Sequence, residues 1–251
     1  MAETILKCVG VSKFFGGLTA LDQVDFEVNT GEVVALLGDN GAGKSTLIKC
    51  ISGVYKPEQG KITFTGKDIV HSTPAEVREE GIETIYQDLA LAENLDVGAN
   101  VFLGKERMKK VFGLFPVTDD EYMRQEATKV LDRLDIHIPS LKQKLVNLSG
   151  GQRQAVAIAR ALYWNAKLVI MDEPTAALGV PEQRKVLALV RSLREQGIPV
   201  ILISHTMQDV MEVADRIVVM RRGKVAANMM RRDATVDLIV KHIIGASEVN
   251  E

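Results

Sequence analysis

The chain has 251 residues, 46% of them hydrophobic and 25% charged, with two cysteines and a net charge of −2 at pH 7. This length and composition predict a globular chain with a substantial core, and the near-neutral charge argues against nucleic acid as a partner. Cys8 and Cys50 form neither a disulfide framework nor a metal-binding spacing, and without a leader pattern or a bilayer-length apolar run we expect no signal peptide and no transmembrane helix.

Strand and helix signals alternate in the first third of the chain. The apolar run Glu32–Leu37 ends at Gly38, as is typical of a buried central strand, and a helix is predicted from about Lys44 to Ile51. Thr73 and Glu76 form a capping box that predicts the start of a short helix. Strands are predicted here at residues 5–9, 24–28, 32–37, 61–65 and 82–86.

The middle of the chain, roughly residues 90–165, has a predominantly helical pattern. Thr118 is predicted to cap a helix with an acidic first turn, where carboxylates complement the helix dipole. A second helix is predicted from Ser149 towards Tyr163. We interpret this part as a helical subdomain within a single domain of residues 1–251.

Strands and helices alternate again after this middle part. Such alternation is typical of a largely parallel sheet, so the predicted fold class is α/β. We expect the tail, Ala246–Glu251, to be frayed. Strands are predicted at residues 168–171, 200–203, 217–220 and 224–227, and helices at 181–196, 206–214 and 235–244.

The segment Gly38–Thr46 fits the phosphate-loop pattern G-x-x-x-x-G-K-[ST] between a predicted strand and a predicted helix. Lys44 is placed to reach the β- and γ-phosphates, Ser45 to bind Mg²⁺ and Thr46 to contact the α-phosphate. The alternative is a glycine-rich turn with an exposed lysine. The predicted nucleotide-binding residues of this loop are Gly38, Asp39, Asn40, Gly41, Ala42, Gly43, Lys44, Ser45 and Thr46.

Polar side chains also follow three other predicted strands. Asp172 and Glu173 end an apolar strand, where Asp172 would hold Mg²⁺ and Glu173 would deprotonate an attacking water. His205 is placed to donate to the γ-phosphate, and Gln87 to bridge Mg²⁺ or the water. The alternatives are a solvated strand end for the two acids and ordinary structural roles for His205 and Gln87. With Lys44, these residues are the catalytic candidates.

A second helix start is predicted in the segment Leu148–Gln154, where a serine is followed by two glycines. The first N–H groups of such a helix have no backbone partner and can bind an anion such as phosphate.

Near the N-terminus, Phe14 and Phe15 precede two glycines, and either ring fits adenine stacking or core packing. We select Phe15 because it adjoins the glycines.

Five motifs in this order resemble those of the ATP-binding subunits of ABC transporters, over essentially the whole chain. They are the phosphate loop 38–46, Gln87, the signature 148–154, the acidic strand 168–173 and His205. The resemblance implies a P-loop NTPase core with a mostly parallel sheet, an N-terminal antiparallel β region and an inserted α-helical subdomain.

The same resemblance implies an ATPase that uses ATP and Mg²⁺ and works as a head-to-tail pair of domains. The ATP bound at the 38–46 loop of one chain would be completed by residues of the other chain. Those signature residues are Ser149, Gly150, Gly151 and Gln152.

A narrower resemblance is to single-domain importers of simple sugars of the ribose, fructose and xylose type. Its segments are residues 38–44, 86–91, 100–104 and 174–179. It implies as partners a second copy or a related ATPase subunit, an integral-membrane permease and, indirectly, a periplasmic or extracellular sugar-binding protein. It also implies a peripheral location at the cytoplasmic face of the membrane.

Two details go beyond the shared motifs. Gly179 stands where most of the wider family has Asp, so a carboxylate contact across the dimer is lost and communication between the ATP sites is expected to differ. Separately, Val111, Phe112, Leu114 and Phe115 form an apolar run that fits either a permease-docking surface or the core of the helical subdomain.

Two other classes of protein are alternatives to an importer subunit. Soluble ABC proteins of DNA repair or ribosomes carry a long coiled-coil insertion or two tandem ATPase domains, and this chain shows neither. A GTPase or small-molecule kinase would share the phosphate loop, but it would lack the 148–152 signature.

Overall fold

A six-stranded sheet forms the centre of the protein in the computed structural model, which describes residues 3–111, 114–134 and 136–245. Its strand order is β12-β11-β3-β10-β9-β6, with β12 antiparallel to β11 and the other neighbours parallel. Apolar strands suit this position because helices cover both faces of such a sheet. The strands are β3 (Val33–Leu37), β6 (Ile82–Ile85), β9 (Leu168–Asp172), β10 (Val200–Ile203), β11 (Arg216–Arg221) and β12 (Lys224–Met230).

A second, antiparallel sheet of order β2-β1-β4-β5 lies at the N-terminal side. It consists of β1 (Thr4–Phe15), β2 (Leu18–Asn29), β4 (Gln59–Phe64) and β5 (Lys67–Asp68). Both β1 and β2 are longer than predicted. In β1 the reason is Gly10, which at φ +59° kinks the strand without ending it. Its N–H donates to the Asp25 carboxylate at 2.8 Å, and pairing resumes at Val11.

Five helices accompany these sheets: α1 (Lys44–Ile51), α2 (Pro74–Glu80), α6 (Val180–Glu195), α7 (Met207–Val213) and α8 (Val236–Ile244). Helix α1 has the predicted bounds. The predicted capping box is present, because the Thr73 hydroxyl accepts from the Glu76 N–H while the Glu76 carboxylate accepts from the Thr73 N–H. In the part of the chain that the structure describes, every helix falls short of the length or apolarity that crossing a bilayer requires.

The middle of the chain contains α3 (Val97–Val101), α4 (Asp120–Arg133), a 3₁₀ turn at Leu145–Asn147 and α5 (Gly150–Tyr163). Phe102, Met123 and Val156 belong to one buried cluster that continues into the central sheet. This part of the chain was predicted to be mostly helical, but it also contains a hairpin of β7 (Met108–Val111) and β8 (Phe115–Thr118).

This hairpin corrects the predicted cap of α4. Thr118 is the last residue of β8 and pairs with Met108, so its backbone belongs to the ladder. Asp119 is the N-cap instead, and its carboxylate accepts from the Tyr122 N–H at 3.5 Å. Threonine and aspartate are both good caps, and the strand pairing decided between them.

Some predictions concern residues outside the described ranges. These are the fraying of Ala246–Glu251 and the contribution of Phe112 to the apolar run.

Candidate functional site

The parallel strands bring four polar segments to one edge of the central sheet. Gly38 follows β3, Gln87 lies beyond β6, Glu173 follows β9 and His205 lies beyond β10. Because these strands are neighbours with the same direction, their carboxyl ends open into a shared cleft of about 490 Å³. We call it the strand-end cleft; its lining consists of Phe15, Leu18, Thr19, Ala20, residues 40–46, Gln87, Asp172, Glu173, Ile203 and His205.

The phosphate loop has a backbone that requires glycine at two positions. Gly38 and Gly43 have φ of +146° and +106°, a region that other residues rarely adopt. A Cβ on Gly38 would lie 2.3 Å from the Met220 carbonyl oxygen, and one on Gly43 would lie 2.8 Å from that of Ala20. The loop therefore passes directly under neighbouring backbone and delivers the start of α1 into the cleft, without a side-chain cap on its first N–H groups.

Lys44 is buried at the start of α1, with 7% of its surface exposed. Its Nζ donates to the carbonyl oxygens of Gly38, at 2.7 Å, and Asp39, at 3.1 Å. Burial lowers the pKa of Lys44, and the charges of Glu173, Asp39 and Asp172 oppose that shift. The ammonium is thus held inside the loop, next to the carboxylates of β9.

Asp172 and Glu173 stand at the end of β9. Burial raises the pKa of both carboxyls above its ordinary value. Glu173 has φ +52°, a conformation that costs a non-glycine residue about 1–3 kcal/mol. Its N–H donates to the Ile203 carbonyl at 2.9 Å, which binds this strained turn to the adjacent strand.

Glu173 and His205 contact each other across the ends of β9 and β10. The His205 backbone N–H donates to Glu173 Oε2 at 3.3 Å, and His205 Nε2 lies 3.2 Å from Glu173 Oε1. That second separation is an ion-pair distance without hydrogen-bond geometry, so Oε1 keeps its capacity to accept a proton from another donor. Glu173 is the more buried of the two side chains.

Gln87 lies on an exposed segment, and a side chain of helix α5 binds the backbone of that segment. Arg160 of α5 donates to the carbonyl oxygens of Leu89, at 3.0 Å, and Ala90, at 2.9 Å. Sequence reasoning missed this arginine, although a charged residue within the apolar run 155–162 of a helix is itself a signal.

The groups facing the cleft include oxygen donors suited to a hard cation. Ser45, Gln87 and Asp172 supply a hydroxyl, an amide and a carboxylate, the ligand types that Mg²⁺ accepts alongside phosphate and water. Among the described residues no cluster of three or more His, Cys, Asp or Glu side chains could hold a metal, so a cation here would depend on these mixed ligands.

Phe15 lies at the other end of the cleft. Its ring is 40% exposed and packs edge-on against Tyr55 with the centroids 5.2 Å apart. Lys13 Nζ lies 5.2 Å from the ring centroid. The ring is therefore not part of the core and has a free surface towards the cleft.

The signature 148–154 lies elsewhere. Ser149 caps α5 through a reciprocal pair with Gln152, at 3.3 Å and 3.1 Å. Gly150 faces Leu178, whose Cδ2 would lie 2.5 Å from an added Cβ, so this helix start packs against the segment Pro174–Gly179. Within the described residues, none of Ser149–Gln152 lines the strand-end cleft, so one chain does not bring its two candidate phosphate sites together.

Comparison with known proteins gives consistent matches. Residues 21–176 match the family described as ABC transporter. The chain is 50% identical to the xylose/arabinose import ATP-binding protein XylG of Sulfolobus acidocaldarius, covering 94% of this chain and 92% of the relative. It is 46% identical to the fructose import ATP-binding protein FrcA of Rhizobium meliloti, covering 98% and 96%.

Solved structures agree with these relatives. A nucleotide-free ATP-binding cassette from an ABC transporter superposes with a TM-score of 0.82 at 31% identity, covering 99% of this chain and 98% of that one. A dimeric ATP-binding cassette in a post-hydrolysis state, bound to ADP and Pi, gives 0.74 at 28% identity, covering 91% and 99%. The expected P-loop NTPase fold is confirmed.

Proposed function

Since the chain belongs to the ABC transporter family, we propose that it binds and hydrolyses ATP to power the import of a simple sugar through a separate membrane permease. The observation that carries this proposal is the strand-end cleft, where Lys44 and the Glu173–His205 pair converge. The import function is supported by the two relatives, which are sugar import ATP-binding proteins matched over nearly their full length.

In this proposal the strand-end cleft holds ATP along its length. Adenine stacks on the exposed face of Phe15, and the phosphates meet the N–H groups of the 40–46 loop. Lys44 exchanges its bonds to the Gly38 and Asp39 carbonyls for bonds to phosphate oxygens, a charge-assisted contact. Mg²⁺, when bound, neutralises phosphate charge, and Ser45, Gln87 and Asp172 are the residues that would hold it.

Hydrolysis assigns one step to each partner of the Glu173–His205 pair. Glu173 accepts a proton from water through Oε1 as the water oxygen attacks the γ-phosphorus and the bond to the β–γ bridging oxygen breaks, giving ADP and phosphate. His205 donates to the γ-phosphate oxygens, where charge develops. The 57% exposure of the His205 side chain leaves it free to turn to that role.

The signature residues are assigned to a neighbouring chain's ATP. Ser149 is exposed and lies outside its own chain's cleft, while its helix start offers N–H groups to an anion. A second copy, arranged head to tail, would bring Ser149–Gln152 opposite the 38–46 loop. The structural similarity to a dimeric cassette supports this arrangement.

The remaining partners follow from the importer proposal. A permease in the membrane receives the force of dimer closure, and a periplasmic or extracellular binding protein delivers the sugar. The chain then works as one ABC ATPase domain, with residues 90–165 as its helical subdomain, on the cytoplasmic face of the membrane.

The decisive experiment measures ATP binding and steady-state hydrolysis by wild type, Glu173→Gln and Lys44→Ala. We expect Glu173→Gln to bind ATP normally with kcat reduced about 10²–10⁴-fold, the usual contribution of a general base. Lys44→Ala should instead weaken ATP binding, because its charge-assisted phosphate contact is lost. Hydrolysis at the wild-type rate by Glu173→Gln would exclude Glu173 as the base.

A further inference from the structure

A buried hydrogen bond joins the two chain segments that carry Glu173 and His205. The Thr175 hydroxyl donates to Asp209 Oδ2 at 2.6 Å, the length of a charge-assisted O–H···O⁻ bond. Thr175 and Asp209 are only 1% and 4% exposed. A carboxylate so deeply buried is costly unless it is hydrogen-bonded, so Asp209 requires a hydrogen-bond donor at this position.

Thr175 belongs to the turn that directly follows Glu173. The Ala176 N–H donates to the Glu173 carbonyl at 3.3 Å, and the Leu178 N–H donates to the Thr175 carbonyl at 3.1 Å. From α6, Gln183 Nε2 donates to the Leu178 carbonyl at 3.0 Å and lies 3.4 Å from that of Thr175. Thr175 therefore stands in a rigid segment, and a shift of its side chain would move Glu173.

Asp209 lies in the first turn of α7, four residues after His205. Helix α7 starts at Met207, so the backbone between His205 and Asp209 is short and mostly helical. Holding Asp209 consequently fixes the position of α7 relative to the end of β9. The bond acts as a second connection between the two catalytic segments, beyond the direct contact of Glu173 with His205.

We propose that Thr175 and Asp209 are positioning residues that hold the Glu173 carboxylate and His205 in their reactive arrangement. This inference rests on the proposed function, since it assigns a role in the same hydrolysis. An apolar pair of similar shape would fill the same space with no buried charge, yet it would not fix the direction of the two segments.

The segment that carries Thr175 also contacts the signature of the same chain. Leu178, at the end of the Thr175 turn, packs against Gly150 at the signature. Gly179 supplies no carboxylate here, and the Thr175–Asp209 bond connects α7, which follows His205, with the segment Pro174–Gly179 inside the chain.

The test compares kcat and KM for ATP in Thr175→Val, Thr175→Ser, Asp209→Leu and the double variant Thr175→Val/Asp209→Leu. We expect Thr175→Val to lower kcat about 10²-fold, as a displacement of about 1 Å can do, while KM changes less than about twofold. Thr175→Ser keeps the hydroxyl and should restore kcat to within about threefold of wild type.

The double variant separates positioning from stability. Replacing both partners by apolar groups removes the unpaired buried carboxylate left by Thr175→Val, so the double variant should unfold at a higher denaturant concentration than that single variant. Its kcat should nevertheless stay low. Wild-type kcat in the stable double variant would show that the bond is only structural and would overturn the inference.

Ser12→Ala is the matched control, because it removes another buried hydroxyl, which accepts from the Gln23 N–H at 3.0 Å in the N-terminal sheet. It should lower stability and leave kcat unchanged. A wild-type protein without ATP hydrolysis would refute the proposed function together with this inference, whereas normal wild-type hydrolysis with unaffected variants would refute the inference alone.

Discussion

Three ionisable side chains, Lys44, Asp172 and Glu173, line the strand-end cleft, and burial shifts the pKa of each. The pKa of Lys44 is lowered, while the pKa values of Asp172 and Glu173 are raised, and burial is the largest cause in all three cases. Such opposed shifts within one cleft are typical of catalytic sites. These pKa shifts therefore predict how the ATPase activity depends on pH.

Glu173 acts as a base only when it is deprotonated, so its raised pKa should move the acidic limb of the kcat–pH profile above 4.5, the ordinary glutamate value. The positive charge of His205 lowers that pKa. His205→Ala should thus reduce kcat and shift the remaining acidic limb to still higher pH. The measurement is kcat at saturating ATP across pH for both proteins, and a limb that moves to lower pH in His205→Ala would assign it to another group.

The sequence identified the chemical groups of this cleft but not their conformations. Lys44 follows from its place in the glycine-rich loop pattern, and Glu173 and His205 follow from their places beyond the apolar strands β9 and β10. The left-handed backbone of Glu173 and the Arg160 contacts to Leu89 and Ala90 did not follow, since both depend on residues distant in the chain.

At the scale of elements, the hairpin β7–β8 is the largest departure from the predicted pattern. Leu114 and Phe115 are 78% and 65% exposed, so for these two residues the alternative of a subdomain core is wrong. Neighbouring exposed apolar side chains such as these can mark an interaction surface. For Leu114 and Phe115 this leaves the other alternative, a docking surface for the proposed permease, as the prediction to test.

Phe115→Asp should therefore abolish sugar transport by the assembled importer while the ATPase activity of the isolated subunit stays within about twofold of wild type. The added charge would lose its hydration in an apolar interface, which is costly. Transport in membrane vesicles and ATPase of the purified subunit provide the two readouts. Ile244→Asp, at the similarly exposed end of α8, is the control and should transport normally.

Local signals predicted the elements well wherever the pattern was complete within a few residues. The capping box at Thr73 and the bounds of α1 and β10 are examples. The hairpin was missed because its strands are short and pair only with each other. Thr118 was mistaken for the α4 cap for the same reason. The residues of the helix itself do not show that Thr118 pairs with Met108 in the hairpin.

At the scale of the whole molecule, the strand-end cleft and the signature face different surroundings. In the proposed function, a complete ATP site therefore requires two chains. Ser149→Arg should prevent ATP-dependent dimerisation, because a long charged side chain would occupy the place of the γ-phosphate, while ATP binding to the monomer persists. The measurement is size-exclusion chromatography with ATP in the Glu173→Gln background.

Thr73→Arg is the matched control for this experiment. It removes the same kind of capping box, at a cost of about 0.5–2 kcal/mol, from an exposed helix start on α2. Dimerisation should survive in this control. A Ser149→Arg protein that still dimerises with ATP would refute the shared site.

Spacing along short segments predicted most strands of the central sheet, the glycine-rich loop and the side chains at the strand ends, but not the β7–β8 hairpin. The tertiary structure alone decided which ends became neighbours. Parallel pairing of β10 with β9 brings His205 within 3.2 Å of Glu173, and packing of α7 buries Asp209 against Thr175, 34 residues away in the chain. The start of α5 packs against Leu178, and Ser149 lies outside its own chain's cleft, since contacts between distant segments are set by how the whole core fills space.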